Sequence, residues 1–290
     1  MTLHILSPAK INLFLHVLGR RPDGYHDLFS LMCRIGLYDE ILLSPTSTTI
    51  TLTCSDSGLP VDDSNLAVAA ARRFYESLGA CGGVDIRLTK RIPVAAGLGG
   101  GSSNAASVLL GLNHLHGSPF SAERLRTIGK SLGADVPFFL FQGPALASGI
   151  GDRLEAFGGI PPMAAVVVSP PFAVSTRMVY QNLNLRLTNS QKRPTKAHFN
   201  ERAFSPALHL FNDLEAVTLA WHPELVSIKN LLDGQGALGA IMSGSGPSVF
   251  GLFFDIEAAR AAADALPEDR GWKVFCVGLL TGPFALIRES

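Results

Sequence analysis

The chain has 290 residues, 47% of them hydrophobic, and its 24 Lys and Arg balance 24 Asp and Glu to a formal net charge of zero. A chain of this size and apolar content builds about two packed domains and is not disordered. With no net charge, no overall field draws it to nucleic acid or to acidic membranes, so any anion must be held by local geometry.

The four cysteines, Cys33, Cys54, Cys81 and Cys276, are scattered without a C-x-x-C pair, which argues against zinc and against a disulfide framework. The start Met1-Thr2-Leu3-His4 lacks the basic and apolar regions of a signal peptide. No stretch reaches the roughly 18 apolar residues of a membrane span. The expectation is a soluble, cytoplasmic protein, a monomer or homodimer, with no nucleic-acid or membrane partner.

Along the chain, Ala9, Ile11, Leu13, Leu15 and Val17 alternate with Lys10, Asn12, Phe14 and His16, which predicts a strand with one face in a core. A Pro22-Asp23-Gly24 turn follows, then strand-like sequence at Ile41 to Leu43 and Ile50 to Leu52. Asp63-Ser64-Asn65 opens a helix over Leu66 to Leu78 that Gly79 closes. Val84 to Leu88 alternates again. A glycine-rich loop then leads into a helix from Ala105 to Leu115, with Ser102, Ser103 and Asn104 as cap candidates. A short helix from Ser121 ends at Gly133, and a domain boundary is placed near residue 160. Val166 to Ser169 opens a buried strand. A polar stretch from Asn182 to Arg202 reads as a loop or insertion, and a second glycine-serine turn spans Ser243 to Pro247. A helix over Ile256 to Ala265 and a strand near Lys273 to Val277 complete an α+β pattern without internal repeats.

The loop from Gly97 to Ser103 is the most informative stretch. Four glycines within five residues free the backbone for crowded conformations, and the following helix turns its positive end toward an anion. This reads as a phosphate cradle. It is not a Walker A loop, because Ser102 follows Gly101 with no lysine, and G-x-G-x-x-G also fails.

Lys10 and Asn12 share the strand face opposite the apolar one, which is either a solvated surface or a cleft lining. Asp135, before Pro137, Phe138, Phe139 and Leu140, is either a turn cap or a half-buried carboxylate needing a partner, for which Lys10 is the natural choice. Such a pair suits phosphoryl transfer, where positioning and charge neutralisation dominate. Tyr25 and His26 follow the turn as a ring to stack on and a side chain able to donate and accept.

Ser7-Pro8-Ala9-Lys10-Ile11-Asn12-Leu13, the loop from Gly97 to Ala106, Gly133-Ala134-Asp135-Val136-Pro137 and Ser243-Gly244-Ser245-Gly246-Pro247 resemble the motifs of the GHMP small-molecule kinases. Within them, Arg21-Pro22-Asp23-Gly24-Tyr25-His26 is similar to the signature of the branch acting on a cytidine diphosphate-linked methylerythritol of the non-mevalonate isoprenoid route. Phe211-Asn212-Asp213-Leu214-Glu215 fits the same branch. The resemblance spans nearly the whole chain.

It implies an α+β, two-domain fold with the active site in the interdomain cleft: an ATP-binding domain over residues 1–160 and a substrate-side domain over 161–290. It further implies ATP-dependent phosphorylation of a substrate hydroxyl, with Asp135 and Lys10 catalytic. Lys90, Gly97, Leu98, Gly99, Gly100, Gly101, Ser102 and Ser103 fall at the ATP site. Asn12, Tyr25, His26, Thr176 and Tyr180 fall at the substrate site, Tyr180 standing where the family often has phenylalanine. Magnesium accompanies ATP in this picture, with Ser102 or Ser103 as ligand candidates only. Alternatives are another kinase of the superfamily, of homoserine or mevalonate type, and a non-catalytic nucleotide-binding regulator of the same fold.

Overall fold

The computed structural model describes residues 2–184 and 203–282 and the backbone of 287–289; residues 185–202, most of the polar stretch expected as a loop, lie outside the described residues. Two long antiparallel strands, β1 (Leu3–Arg20) and β2 (His26–Thr46), form its backbone frame. Their pairing shifts register between Pro8 and Ala9, Asn12 and Phe14, and Val17 and Gly19. Such irregularities twist and bend long strands.

One edge of β2 follows β1, while the other is occupied in succession by three partners. These are β5 (Ala145–Gly149) at Leu28 to Met32, β11 (Lys273–Leu280) at Arg34 and Ile35, and β4 (Gly83–Thr89) at Glu40 to Thr46. The sheet continues from β11 through β7 (Ala164–Ser169) and β10 (Val249–Phe253) to β9 (Ala240–Met242). β12 (Ile287–Glu289) and β8 (Phe211–Asn212) pair with β1, β3 (Ile50–Cys54) with β4, and β6 (Arg153–Ala156) with β5. The strand from the last part of the chain thus lies against β2, and the two halves share one sheet.

Helix positions follow their sequence signals. In α1 (Leu66–Leu78), Asn65 accepts the Ala67 amide at 3.0 Å, Gly79 closes the helix at φ +66°, and Ala67, Val68, Ala70, Ala71, Phe74 and Tyr75 are buried. That face joins a core under β1, β2 and β4 with Phe138 and Phe139 of α4 (Val136–Leu140). α3 (Ala122–Leu132) is capped by the Ser121 hydroxyl, with Glu123 in its first turn and Lys130 in its last, each complementing the helix dipole. Beyond residue 160, α5 (Thr176–Asn182), α6 (Pro206–His209), α7 (Glu215–Trp221), α8 (Glu224–Gly234) and α9 (Ile256–Asp264) complete the described helices. A separate apolar cluster around Val166, Leu225, Ile228, Val249 and Ala259 supports this half. None of the described helices is long and apolar enough to cross a membrane.

One local expectation changes, and one open alternative is narrowed. The helix after the glycine loop, α2 (Gly100–Leu115), begins within the glycines, with Gly99 as its N-cap at φ +72°. Ser102, Ser103 and Asn104 therefore lie inside the helix rather than capping it. Glycine makes this early start possible, since the left-handed cap costs it no Cβ clash. The polar face of β1 is also covered rather than solvated, because loops pack onto it: Lys10, Asn12 and His16 are all buried, and the Lys10 amide donates to the Leu98 carbonyl at 2.9 Å.

Candidate active site

The glycine loop is shaped by alternating backbone conformations. Ala95, Gly97 and Gly99 all have positive φ, at +51°, +76° and +72°. A Cβ on Gly97 would collide with the Ser243 carbonyl oxygen, so the two glycine loops touch there through bare backbone. At Gly99 it would press on the Phe139 ring and the Lys10 stem at 3.0–3.1 Å. The first turn of α2 leaves the amides of Gly100, Gly101 and Ser102 without intrahelical acceptors and carries no acidic side chain. This is a helix terminus suited to phosphate.

Beneath the loop lies a polar network that sequence reading did not single out. The Asp39 carboxylate, fully buried, pairs with the Lys90 ammonium and accepts from the amides of Arg91 (2.7 Å) and Ile92 (2.9 Å) and from the Asn104 side chain (2.9 Å). Asn104 also donates to the Ser7 hydroxyl at 3.0 Å, and Ser7 shares a 2.8 Å hydrogen bond with Ser103. Strand β4's exit, β1 and α2 are thereby fastened to one another. Lys90 does stand next to the loop, 3.2 Å from where a Gly100 Cβ would be, but its charge is held by Asp39. Ser103 turns its hydroxyl into the core and its amide to Gly99, whereas Ser102 is half-buried at the surface of the first turn. The acidic pair Asp39-Glu40 beside the apolar run Ile41 to Leu43 is the available signal, and it resembles an ordinary solvated edge.

Lys10 is where the motifs meet. Its ammonium donates to Asn12 Oδ1 at 2.6 Å and to the Gly97 carbonyl at 3.1 Å, and lies 3.7 Å from Asp135 Oδ2. Ser243 Oγ donates to the same Gly97 carbonyl at 3.0 Å, and a Gly244 Cβ would stand 3.4 Å from both the Lys10 nitrogen and Asn12 Oδ1. Asn12 is engaged at both ends, since its amide nitrogen donates to Ser30 Oγ at 2.8 Å. In this structure it orients Lys10. Asp135 precedes α4 and is half-exposed toward the same space.

The substrate-side residues gather on the other flank. Thr176, at the start of α5, shares a 2.7 Å hydroxyl hydrogen bond with Ser245 of the second glycine loop. One turn on, the Tyr180 ring stacks on His26 with centroids 5.2 Å apart. Burial pushes the Tyr180 phenol up, and the nearby Asp135 charge adds to that. Burial and the Arg20 charge push His26 below its ordinary range, so its ring is neutral near pH 7. Tyr25 is 60% exposed and does not share that stack; its turn is stiffened by Asp23, which accepts the Tyr25 amide and pairs with Arg21. The second loop is itself tied down by Asn212, whose side chain donates to the Met242 and Gly244 carbonyls. Phe211, beside it, stacks on His16 at 4.5 Å.

The family description "GHMP kinases N terminal domain" fits residues 65–143, and "GHMP kinases C terminal" fits residues 197–270. A 4-diphosphocytidyl-2-C-methyl-D-erythritol kinase of Syntrophus aciditrophicus is 50% identical over 95% of this chain and 98% of its own length. That of Geobacter metallireducens is 48% identical over 96% and 99%. The chain belongs to the 4-diphosphocytidyl-2-C-methyl-D-erythritol kinase family. A crystal structure of a 4-(cytidine 5'-diphospho)-2C-methyl-D-erythritol kinase superposes with a TM-score of 0.80 at 38% identity, covering 95% of this chain and 98% of the other. A homoserine kinase from Cytophaga hutchinsonii, at 20% identity and a TM-score of 0.73 over 97% and 96%, shares the fold. Membership in this kinase family accords with a site in which a helix terminus for phosphate, a buried cation and an accessible carboxylate converge.

Proposed function

We propose that this chain transfers the γ-phosphoryl group of ATP to a hydroxyl on the methylerythritol part of 4-diphosphocytidyl-2-C-methyl-D-erythritol. The observation that carries this reading is the convergence of Lys10, Asp135 and the Gly97 carbonyl beside the open N-terminus of α2, in a chain 50% identical to a kinase of that name. In this reading residues 1–160 form the ATP-binding domain and residues 161–290 the substrate-side domain. The first-turn amides of α2 hold the donor phosphates, and Lys10 faces the oxygens that gain charge during transfer. Asp135 orients the acceptor hydroxyl and takes its proton as the new oxygen–phosphorus bond forms and ADP departs with the electron pair of the broken bond.

Magnesium fits the donors present. Among the described residues no cluster of three His, Cys, Asp or Glu side chains occurs. Ser102 Oγ lies 3.9 Å from where a Cβ on Gly133 would stand, two residues before Asp135. That hydroxyl is a hard oxygen ligand of the kind magnesium would take together with donor phosphates and water. When bound, the cation neutralises phosphate charge. Ser103, bonded to Ser7, is not part of this set.

On the acceptor side, the exposed Tyr25 ring stacks on cytosine beside the His26–Tyr180 pair, and Thr176, bonded to Ser245, belongs to the same side. The test is ADP release with the cytidyl substrate against homoserine and mevalonate. Turnover with the cytidyl compound alone is expected; turnover with either control and not with it overturns the assignment.

A further inference from the structure

Arg34 is the least expected side chain near the site. It lies on β2 directly across from Lys10 in the strand register, with Leu280 of β11 on its other side. The residue is 6% exposed, and among the described residues no carboxylate pairs with it. One terminal nitrogen donates to the carbonyls of Phe138 (3.1 Å), Phe139 (2.8 Å) and Phe141. The guanidinium carbon lies 5.4 Å from the centroid of the Phe138 ring, and Nε has no partner. Burial lowers the pKa of the group to about 10, so it is still a cation at neutral pH.

A buried cation with an orphaned donor is a poor way to gain stability, since an apolar side chain of similar volume fills such a space without the desolvation cost. What the arginine does supply is direction. The three carbonyls lie at the C-terminal end of α4, where the helix is negative, and that of Phe138 also accepts the Phe141 amide at 3.2 Å. α4 has five residues, and Asp135 is the residue immediately before it. A grip on Phe138, Phe139 and Phe141 therefore sets both the height and the rotation of the single turn that carries Asp135. Lys10 and Arg34 leave the sheet from paired positions, so the 3.7 Å separation of Lys10 and Asp135 is spanned by one rigid frame.

We propose that Arg34 is a positioning residue for phosphoryl transfer: by holding the carbonyl end of α4 it sets the Asp135 carboxylate against Lys10. The inference rests on the reading that Asp135 acts on the acceptor hydroxyl, and the experiment separates the two.

The full chain is compared as wild type, Arg34→Met, Arg34→Lys, Asp135→Asn and the Arg34→Met/Asp135→Asn double variant. For each, kcat, both KM values and the melting temperature are measured. Misplacing a reacting group by about an ångström costs on the order of 100-fold, so Arg34→Met is expected to lower kcat roughly 10- to 100-fold. Both KM values should stay within about threefold, since ground-state binding is untouched. Arg34→Lys, which keeps a donor for the carbonyls, should recover part of the loss. In the Asp135→Asn background the Arg34→Met change should cost almost nothing more, because the carboxylate being positioned is already gone.

Wild-type kcat in Arg34→Met, or losses that simply add in the double variant, overturns the proposal and leaves Arg34 a packing residue. Should Arg34→Met fail to fold, Arg34→Lys with and without Asp135→Asn decides by the same criterion. If Asp135→Asn alone keeps full turnover, the failure lies in the reading of Asp135, and the positioning proposal falls with it.

Discussion

Lys10 is withdrawn from solvent, 5% exposed, while the Asp135 carboxylate it faces at 3.7 Å keeps 37% of its side-chain surface accessible. The pair is therefore lopsided. The cation is fixed by Asn12 and the Gly97 carbonyl, and the anion has one side open to an incoming hydroxyl. A purely structural ion pair would have no use for this asymmetry, whereas a charge held ready beside an accessible proton acceptor has a chemical one.

Replacing Asp135 by asparagine keeps the shape and removes the proton acceptor. General-base contributions run to about 10²- to 10⁴-fold, and a kcat loss of that order is expected. The melting temperature and ATP-analogue affinity should change little, because Asp135 supplies no side-chain cap to α4. Rapid-quench assays of ADP formation check the first expectation, and calorimetry the second.

Tyr25→Ala should weaken the cytidyl substrate by roughly 1–3 kcal/mol, the usual worth of a base stacked on an aromatic ring. That is about 5- to 150-fold in affinity. ATP binding should be spared, since the loop at Gly97 to Ser103 belongs to a different part of the site. Tyr25→Phe should be mild. Paired titrations of each variant with the two ligands provide the measurement, and equal losses for both would mean that Tyr25 supports the fold.

Asp39→Ala strands the Lys90 ammonium in the interior and removes acceptors from two backbone amides and Asn104. Losing one partner of a buried pair costs about 3–5 kcal/mol. Urea unfolding should show a loss of that size. Because the same carboxylate anchors the entry to the glycine loop, KM for ATP should rise more than KM for the acceptor.

The glycines of the loop should not be equivalent. Gly97→Ala puts a methyl into the Ser243 carbonyl at φ +76° and should destabilise the protein and weaken ATP binding together. Gly101→Ala meets only Leu66 Cδ1, at 3.6 Å, and should be tolerated, with stability unchanged or higher by up to about 1 kcal/mol from helix propensity. Gly100→Val presses on Ile92 and the Lys90 nitrogen, so its cost is set by the layer under the loop and not by crowding of a phosphate. Thermal melts and nucleotide titrations on the three variants test the ranking.

Much of the framework could be read from one-dimensional cues, because those cues are local. Asn65 and Gly79 bracket α1 as capping chemistry demands, and Ser121 does the same for α3. The start of α2 is not legible because serine and asparagine are better caps than glycine, and the side chains that leave no room for a Cβ at Gly99, Phe139 and Lys10, come from distant parts of the sequence. Lys10, Asp135 and the glycine loop stood out by residue type and motif. Arg34 and Asp39 did not, since a charge within a strand looks the same whether it faces water or three carbonyls. Nor did alternation in β1 reveal that its polar side is roofed by other parts of the chain.

The pairing of β11 with β2 has a bearing on how the protein is made. Leu280 lies beside Arg34, which lies beside Lys10, so residues 10, 34 and 280 stand side by side on three adjacent strands. During synthesis, Arg34 and Ile35 of β2 must wait for Leu279 and Leu280, near the far end of the chain, before that stretch of strand edge is covered. Contacts of such long sequence separation slow folding and leave an open edge exposed meanwhile. A ribosome-bound chain ending short of residue 273 would lack the strand that covers that edge, even with every kinase motif already translated, and should be far more sensitive to protease than the released protein.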